Sequence, residues 1–162
     1  MKYSIVYSSR TGNTEMLADS IRKTLDPKDC VYYGPVSDEA LKADLIYIGF
    51  WTDKGHADDE ATSLMKKITD QKVFLFGTCG FGGGQAYFDQ ILARSVKFLN
   101  SDVEVTGTYM CQGKMPMSVR DRYVSMQKAP GMGKKMQSMI ENFDQALSHP
   151  DKEDLDRLVK ML

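Results

Sequence analysis

The stretch YSSRTGNTE, residues 7–15, lies between an apolar run, IVY at 5–7, and a helix-like run that begins at residue 16. Hydroxyl and amide side chains fill most of positions 8–14, around a single glycine, Gly12. A helix N-cap needs only one or two such residues. The concentration of polar groups therefore favours a ligand-binding loop at a strand-to-helix junction over capping alone.

An anion is the ligand that such a junction favours. The first N–H groups of a helix lack internal partners, and the helix dipole attracts negative charge there. Gly12 allows a close backbone approach, and Arg10 is the one formal positive charge of the loop. Neither a Walker A loop nor a GxGxxG fingerprint is present, which favours a mononucleotide phosphate over ATP or NAD. The expected phosphate contacts are Ser9, Arg10, Thr11, Gly12, Asn13 and Thr14.

The chain alternates apolar runs of strand length with amphipathic runs of helix length. The predicted strands span 2–7, 30–33, 43–50, 72–77 and 103–110. The predicted helices span 13–25, 58–68, 87–99, 119–128, 132–147 and 151–161. This pattern predicts an α/β fold with a doubly wound, five-stranded parallel sheet. We expect a single domain over 1–162, with its sheet core in 1–111 and a C-terminal loop and extra helices in 112–162.

Composition excludes several classes of protein. A formal net charge of −1 argues against a nucleic-acid partner, and no apolar run approaches the roughly 20 residues of a membrane span. Three cysteines without CxxC or metal-ligand spacing predict reduced thiols in the cytoplasm. The two histidines, His56 and His149, are isolated in the sequence and are expected at the surface, so we predict no metal site and no catalytic triad.

The loop from Ser9 to Thr14 resembles the phosphate loop of flavodoxins, which reads [ST]-x-[ST]-G-x-T after the first strand. The strand spacing is also similar over about the first two-thirds of the chain. The resemblance implies a sheet order of 2-1-3-4-5, noncovalently bound FMN, and electron transfer between a reductase and an acceptor enzyme. It implies no catalytic side chains, because the cofactor carries the redox chemistry.

In flavodoxins, the loop after the third strand flanks the isoalloxazine ring, often with a tryptophan. Trp51, the only tryptophan, lies in this loop and can cover a flat ring, and we favour this role over filling the core at the end of the sheet. Gly55 is a candidate for the peptide whose carbonyl turns toward flavin N5–H, or it is a plain turn. The expected cofactor contacts in this loop are Phe50, Trp51, Thr52, Asp53, Lys54 and Gly55.

The resemblance places a second flanking loop after the fourth strand, within GTCGFGGGQAYFDQ at 77–90. Its glycines at positions 80, 82, 83 and 84 allow backbone N–H groups to approach the pyrimidine edge of the ring. Phe81 is the candidate for the second ring face, and Cys79 is expected to be a small buried side chain. The expected contacts in this loop are Thr78, Cys79, Gly80, Phe81 and Gly82.

Departures from flavodoxins keep other functions open. The second loop has no early tyrosine, the charge is nearly neutral, and the chain continues past the fifth strand with a methionine-rich tail. The CQGKM segment at 111–115 either borders the flavin or forms a turn, and we favour the turn. An electron carrier is the favoured function. The alternatives are an FMN-dependent reductase of a quinone or tetrapyrrole, or an accessory subunit that delivers electrons through the tail. The oligomeric state is left open.

Overall fold

The alternation seen in the sequence produces an α/β fold in the computed structural model, which describes residues 1–82 and 84–162. The strands are β1 (Tyr3–Tyr7), β2 (Cys30–Pro35), β3 (Leu45–Asp53), β4 (His56–Ala57), β5 (Lys72–Cys79) and β6 (Val105–Gln112). The helices are α1 (Asn13–Thr24), α2 (Asp59–Met65), α3 (Gln85–Val96), α4 (Met117–Gln127), α5 (Gly133–Ala146) and α6 (Lys152–Val159).

Five parallel strands form the sheet in the order β2-β1-β3-β5-β6. This order confirms the predicted 2-1-3-4-5 arrangement. The prediction of five strands was incomplete, because β4 adds an antiparallel pair to the end of β3. Its two residues are too few for hydrophobic periodicity to reveal.

The central strands carry the core on both faces of the sheet, as continuous apolar runs require. Ile46, Ile48 and Phe50 alternate along β3 and pack in the cluster that also holds α2 and α3 residues. Tyr47 points to the other face and packs with Phe74 in the cluster that contains α1 residues. The carboxyl ends of β1, β3, β5 and β6 are thereby fixed side by side at one edge.

The C-terminal region divides into two parts. Helix α6 packs beside α1, and its Leu158 is fully buried in the sheet core. Helices α4 and α5 pack on each other around a separate apolar cluster that includes Tyr123, Met136 and Phe143. Most methionines of the tail therefore serve as packing groups, whereas Met117, Met126 and Met161 are exposed. The α4–α5 pair is an insertion between β6 and α6.

Among the residues described, no helix combines the length and apolar character needed to cross a bilayer. The three cysteines are unpaired, and two of them, Cys79 and Cys111, are buried.

Candidate functional site

A cavity of about 630 Å³ opens where the central strands end. This is the edge of an open parallel sheet at which ligands bind, and the volume suits a molecule of cofactor size. All three loops singled out in the sequence reach it. The predicted residues that line it are Ser9, Arg10, Thr11, Asn13, Thr14, Trp51, Thr52, Lys54, Gly55, Thr78, Cys79, Gly80 and Phe81.

Three residues expected in the first two loops do not line the cavity. Phe50 is fully buried and packs in the core, because alternation along β3 turns its side chain away from Trp51. Asp53 pairs with His56 in the β3–β4 hairpin. Gly12 is the N-cap of α1 with φ +88°, a conformation that side-chain-bearing residues rarely adopt, so its contribution is the shape of the loop.

The side chains of the first loop brace the protein itself. Thr14 is buried, and its hydroxyl donates to the Phe50 carbonyl at 3.1 Å. Asn13 Nδ2 donates to the Lys114 carbonyl at 2.8 Å, and Thr11 Oγ1 donates to the same oxygen at 3.4 Å. We expected these groups to be donors to a phosphate. The geometry instead assigns most of that capacity to internal bonds.

Backbone N–H groups at the start of α1 are the donors that the loop leaves available. Gly12 N–H donates to Ser9 Oγ at 3.1 Å, and Met16 N–H makes the first helical bond, to the Gly12 carbonyl. The N–H groups of Asn13 and Thr14 find no acceptor among the residues that the structure describes. Such groups, at the positive end of a helix dipole, suit an anion.

A second group at this corner also lacks a partner. Asn13 Oδ1 is buried without a hydrogen bond in the described part of the chain. Buried acceptors in folded proteins are normally paired. A ligand hydroxyl is a donor of the kind that would satisfy this oxygen, and Asn13 is one of the residues that line the cavity.

Trp51 is held by its backbone. The backbone N–H of Trp51 donates to Asp58 Oδ1 at 3.2 Å, and the backbone carbonyl of Trp51 accepts from the Asp58 N–H at 3.1 Å. Asp58 also caps α2 by accepting from the Ala61 N–H, so it is both a helix-start charge and an anchor for Trp51. Burial raises the pKa of the Asp58 carboxyl. Above the indole, the Arg10 guanidinium carbon lies 5.4 Å from the ring centre.

The β3–β4 turn has both of its central residues at positive φ, Lys54 at 54° and Gly55 at 83°. The Gly55 carbonyl accepts a hydrogen bond from Arg94 Nη1 at 3.3 Å, and a Cβ on Gly55 would lie 2.8 Å from that nitrogen. This conformation directs the carbonyl toward α3, and the glycine serves the turn. The role of Gly55 as a peptide that rotates toward a flavin stays a prediction.

The loop after β5 is fastened to the inserted helices. Asn142 on α5 accepts from the Gly82 N–H at 2.9 Å and donates to the Gly80 carbonyl at 3.1 Å. Gln112 also donates to the Gly80 carbonyl, at 3.2 Å. These bonds place Gly80 at the cavity and Gly82 against α5, away from the lining. Gly83, which was expected to allow a close backbone approach to the ring, lies outside the described residues, and Gly84 is the N-cap of α3.

One wall of the cavity lies outside the expected contacts, although a border of the flavin was the less favoured alternative for the CQGKM segment. Gly113, Lys114 and Met115 line the cavity, so the CQGKM segment borders the site and is not merely a turn. The Lys114 N–H donates to the His149 carbonyl at 3.0 Å, and His149 Nδ1 lies 2.7 Å from Asp154 Oδ2. The sequence suggested that His149 is isolated, but the structure places it in contact with Lys114 and Asp154. The other lining residues that were missed are Tyr87, Pro116, Ser118, Val119 and Arg122.

Tyr87 lies on the first turn of α3 and supplies an aromatic ring to the cavity. The sequence places this tyrosine after the glycines of the second loop, so it was not among the expected contacts. Tyr87 and Cys79 both line the cavity. Burial raises the pKa of both groups. Cys79 therefore remains a protonated thiol near neutral pH, which matches its expected role as a small buried side chain.

Comparison with known proteins agrees with this architecture. Residues 4–162 match the family model described as the flavodoxin domain. The flavodoxin-like domain-containing protein BilS of Clostridium symbiosum (strain WAL-14163) is 42% identical over 172 residues, which cover 96% of this chain and 90% of that protein.

Solved structures show the same fold. A short-chain flavodoxin associated with a PDU bacterial microcompartment has a TM-score of 0.59 and 16% identity, over 99% of this chain and 93% of that one. A flavoprotein in complex with FMN from Lactobacillus acidophilus NCFM has a TM-score of 0.52 and 20% identity, over 67% of this chain and 92% of that one. This chain therefore belongs to the flavodoxin domain family, whose cofactor is FMN.

Proposed function

We propose that this protein binds FMN noncovalently in the cavity and carries electrons one at a time between a reductase and an acceptor enzyme. One observation carries the proposal: the N–H groups of Asn13 and Thr14 stand without acceptors, among the described residues, at the start of α1. They lie at the carboxyl end of β1, the place where this fold binds a phosphate.

The residues present fit each part of FMN. Backbone N–H groups of the first loop would hold the phosphate, with Arg10 beside them. The unpaired Asn13 Oδ1 would accept from a ribityl hydroxyl. Trp51, Phe81 and Tyr87 offer aromatic surface to the isoalloxazine ring.

When bound, FMN supplies the redox chemistry. The protein orients and shields the ring. Asp58 fixes the backbone of Trp51, and Asn142 fixes the loop that contains Gly80. Both loops are therefore set in place before the cofactor arrives, which reduces the ordering cost of binding. Carriage of electrons between proteins also fits the exposure of Phe81 at the cavity mouth, 41% accessible.

A second candidate function is direct reduction of a small acceptor such as a quinone or tetrapyrrole. A second cavity of about 460 Å³ adjoins the first and shares Phe81 and Tyr87 with it. Gly82 and three residues of α5, Ser138, Met139 and Asn142, complete its lining. A flat acceptor in this space would lie next to the site proposed for the flavin ring.

Three unpaired thiols support a reducing compartment, and we place the protein in the cytoplasm on that basis.

The two functions are separated by one set of kinetic measurements. The full chain is loaded with FMN, and binding is followed by quenching of flavin fluorescence. The loaded protein is reduced anaerobically with dithionite and mixed with cytochrome c, a one-electron protein acceptor, at high ionic strength, where charge repulsion between the two proteins is screened. We expect rapid electron transfer to the protein acceptor and slow oxidation of NADPH by the loaded protein alone. A protein that ignores added FMN would contradict the proposal, and rapid NADPH-driven reduction of menadione without a partner would favour the second candidate.

A further inference from the structure

The charged side chains at the mouth of the cavity, among the residues described, are all positive. Four cationic side chains line the cavity, and we call this set the cationic rim: Arg10, Lys54, Lys114 and Arg122. No carboxylate is among the described residues that line the same cavity. The chain as a whole has a formal net charge of −1, so the charge of this lining is opposite in sign to that of the whole chain.

All four side chains are exposed, and none of them forms a salt bridge with a described residue. A neighbouring residue on α4 gives the contrast. Arg120 is bonded to Asp144 on α5 at 2.8 Å, so it stabilises the α4–α5 pair. Arg122, two residues later, keeps its charge free for the cavity mouth.

The cofactor would not neutralise the rim. A phosphate monoester carries at most two negative charges, whereas the rim carries four positive ones. The surplus lies beside exposed apolar groups, with Phe81 41% accessible on the lining and Met117 55% accessible next to Pro116 of the lining. Apolar contacts ringed by one sign of charge are typical of a docking face, at which charge steers encounter and orientation.

The backbone conformation of Lys54 supports a functional role for the positive charge of the cationic rim. Lys54 occupies a turn position with φ 54°, where Asn or Gly would be less strained. Strain of this kind persists at functional sites. The lysine thus occupies a position where backbone energetics favour other residues.

We propose that the cationic rim is the docking face for an acidic redox partner protein, which reaches the cofactor edge over Phe81. The proposal rests on the electron-carrier function and names the chemistry of the partner. A strongly acidic face would attract basic partners, and this face selects the opposite charge.

The test uses two protein probes, acidic rubredoxin and basic cytochrome c, with the FMN-loaded full chain. Binding to oxidised rubredoxin is measured by calorimetry, and electron transfer from the reduced protein to each probe by stopped-flow absorbance. We expect the rubredoxin rate to fall as salt is raised and the cytochrome c rate to rise, since screening weakens both attraction and repulsion.

Two charge-reversal variants, one in the cationic rim and one at a distance from it, test whether the rim residues form the docking face. The Lys54→Glu/Arg122→Glu variant should lose at least about tenfold in its low-salt rate with rubredoxin, within the range of electrostatic steering. The control, Lys28→Glu/Lys97→Glu, changes net charge equally at the opposite end of the sheet and should keep the wild-type rate.

Equal rates in the two variants, or loss of FMN from the first alone, would overturn the docking proposal. Salt-sensitive binding to rubredoxin without electron transfer to either probe would support the docking face and contradict the electron-carrier function. Electron transfer whose rate does not depend on these charges would support the electron-carrier function and contradict the docking face.

Discussion

Asn13 Nδ2 donates to the Lys114 carbonyl at 2.8 Å, across 101 residues of sequence. This bond joins the start of α1 to the segment that follows β6. Lys114 in turn donates its N–H to the His149 carbonyl. The loop at 7–15 is therefore one half of a corner whose other half comes from the end of the sheet, and the position of Asn13 depends on both.

Replacing Gly113 with alanine should disturb this corner. A Cβ there would lie 2.5 Å from Asn13 Nδ2, so Asn13 must move and the bond to Lys114 must weaken. We expect a loss of about 1–3 kcal/mol in the free energy of unfolding and weaker FMN binding. Chemical denaturation and flavin fluorescence titration measure the two effects.

Gly133→Ala is the matched control, because the space around Gly133 is open and α5 begins there. That variant should be neutral or more stable by about 0.4–1 kcal/mol, with FMN affinity unchanged. If Gly113→Ala binds FMN as well as Gly133→Ala does, the bond between Asn13 and Lys114 has no part in the site.

Asn142→Ala should loosen the loop after β5. The substitution leaves the Gly82 N–H and the Gly80 carbonyl without their amide partner on α5. We expect faster amide hydrogen exchange in the peptide over residues 78–82 and a stability loss of about 1–3 kcal/mol. Gln145→Ala, an exposed amide on the same helix, should leave exchange unchanged. Identical exchange in the two variants would show that α5 does not hold this loop.

Lys54→Asn should stabilise the protein, because Asn tolerates the positive φ of this turn better than lysine does. We expect a gain of about 0.5–1 kcal/mol in the free energy of unfolding. Thermal denaturation of the wild type and the variant checks this. A loss of stability would mean that the lysine side chain makes contacts that outweigh the strain.

Tyr109 makes stability depend on alkaline pH. Its hydroxyl donates to the Asp154 carbonyl at 2.7 Å, and burial raises its pKa from 10.0 to about 12. The folded pKa lies above the unfolded one, so this contribution is complete below pH 10 and disappears as pH rises through about 12.

Tyr109→Phe should therefore be less stable than the wild type by about 1 kcal/mol at neutral pH, with a gap that narrows between pH 10 and 12. Urea denaturation across this range measures the gap. Tyr3 and Tyr7, whose pKa values are also raised to about 12, are common to both proteins and cancel in the difference. A gap that is constant or widens with pH would contradict this assignment.

The sheet and three loops of the cavity were predictable because each is a local event. A strand pattern ends, polar or glycine-rich residues follow, and a parallel sheet gathers those ends at one edge. The roles of particular side chains were less predictable. Thr14 was expected to face a phosphate, but its hydroxyl meets the Phe50 carbonyl because β3 ends beside α1.

The missed wall has a different cause. Val119 and Arg122 lie on α4, whose position depends on packing against α5 around Tyr123 and Phe143. No local pattern shows where such a helix pair lies relative to the sheet. Tyr87 was discounted by its distance along the chain from β5, yet the first turn of α3 brings it back to the cavity.

We expect backbone N–H groups at the start of α1 to hold the phosphate of FMN. The most direct test compares the affinities of the wild-type chain for FMN and for riboflavin, which lacks the phosphate, by fluorescence titration at fixed ionic strength. Two charge-assisted hydrogen bonds of about 1.5 kcal/mol each predict at least roughly 100-fold tighter binding of FMN. Equal affinities for the two flavins would contradict the account.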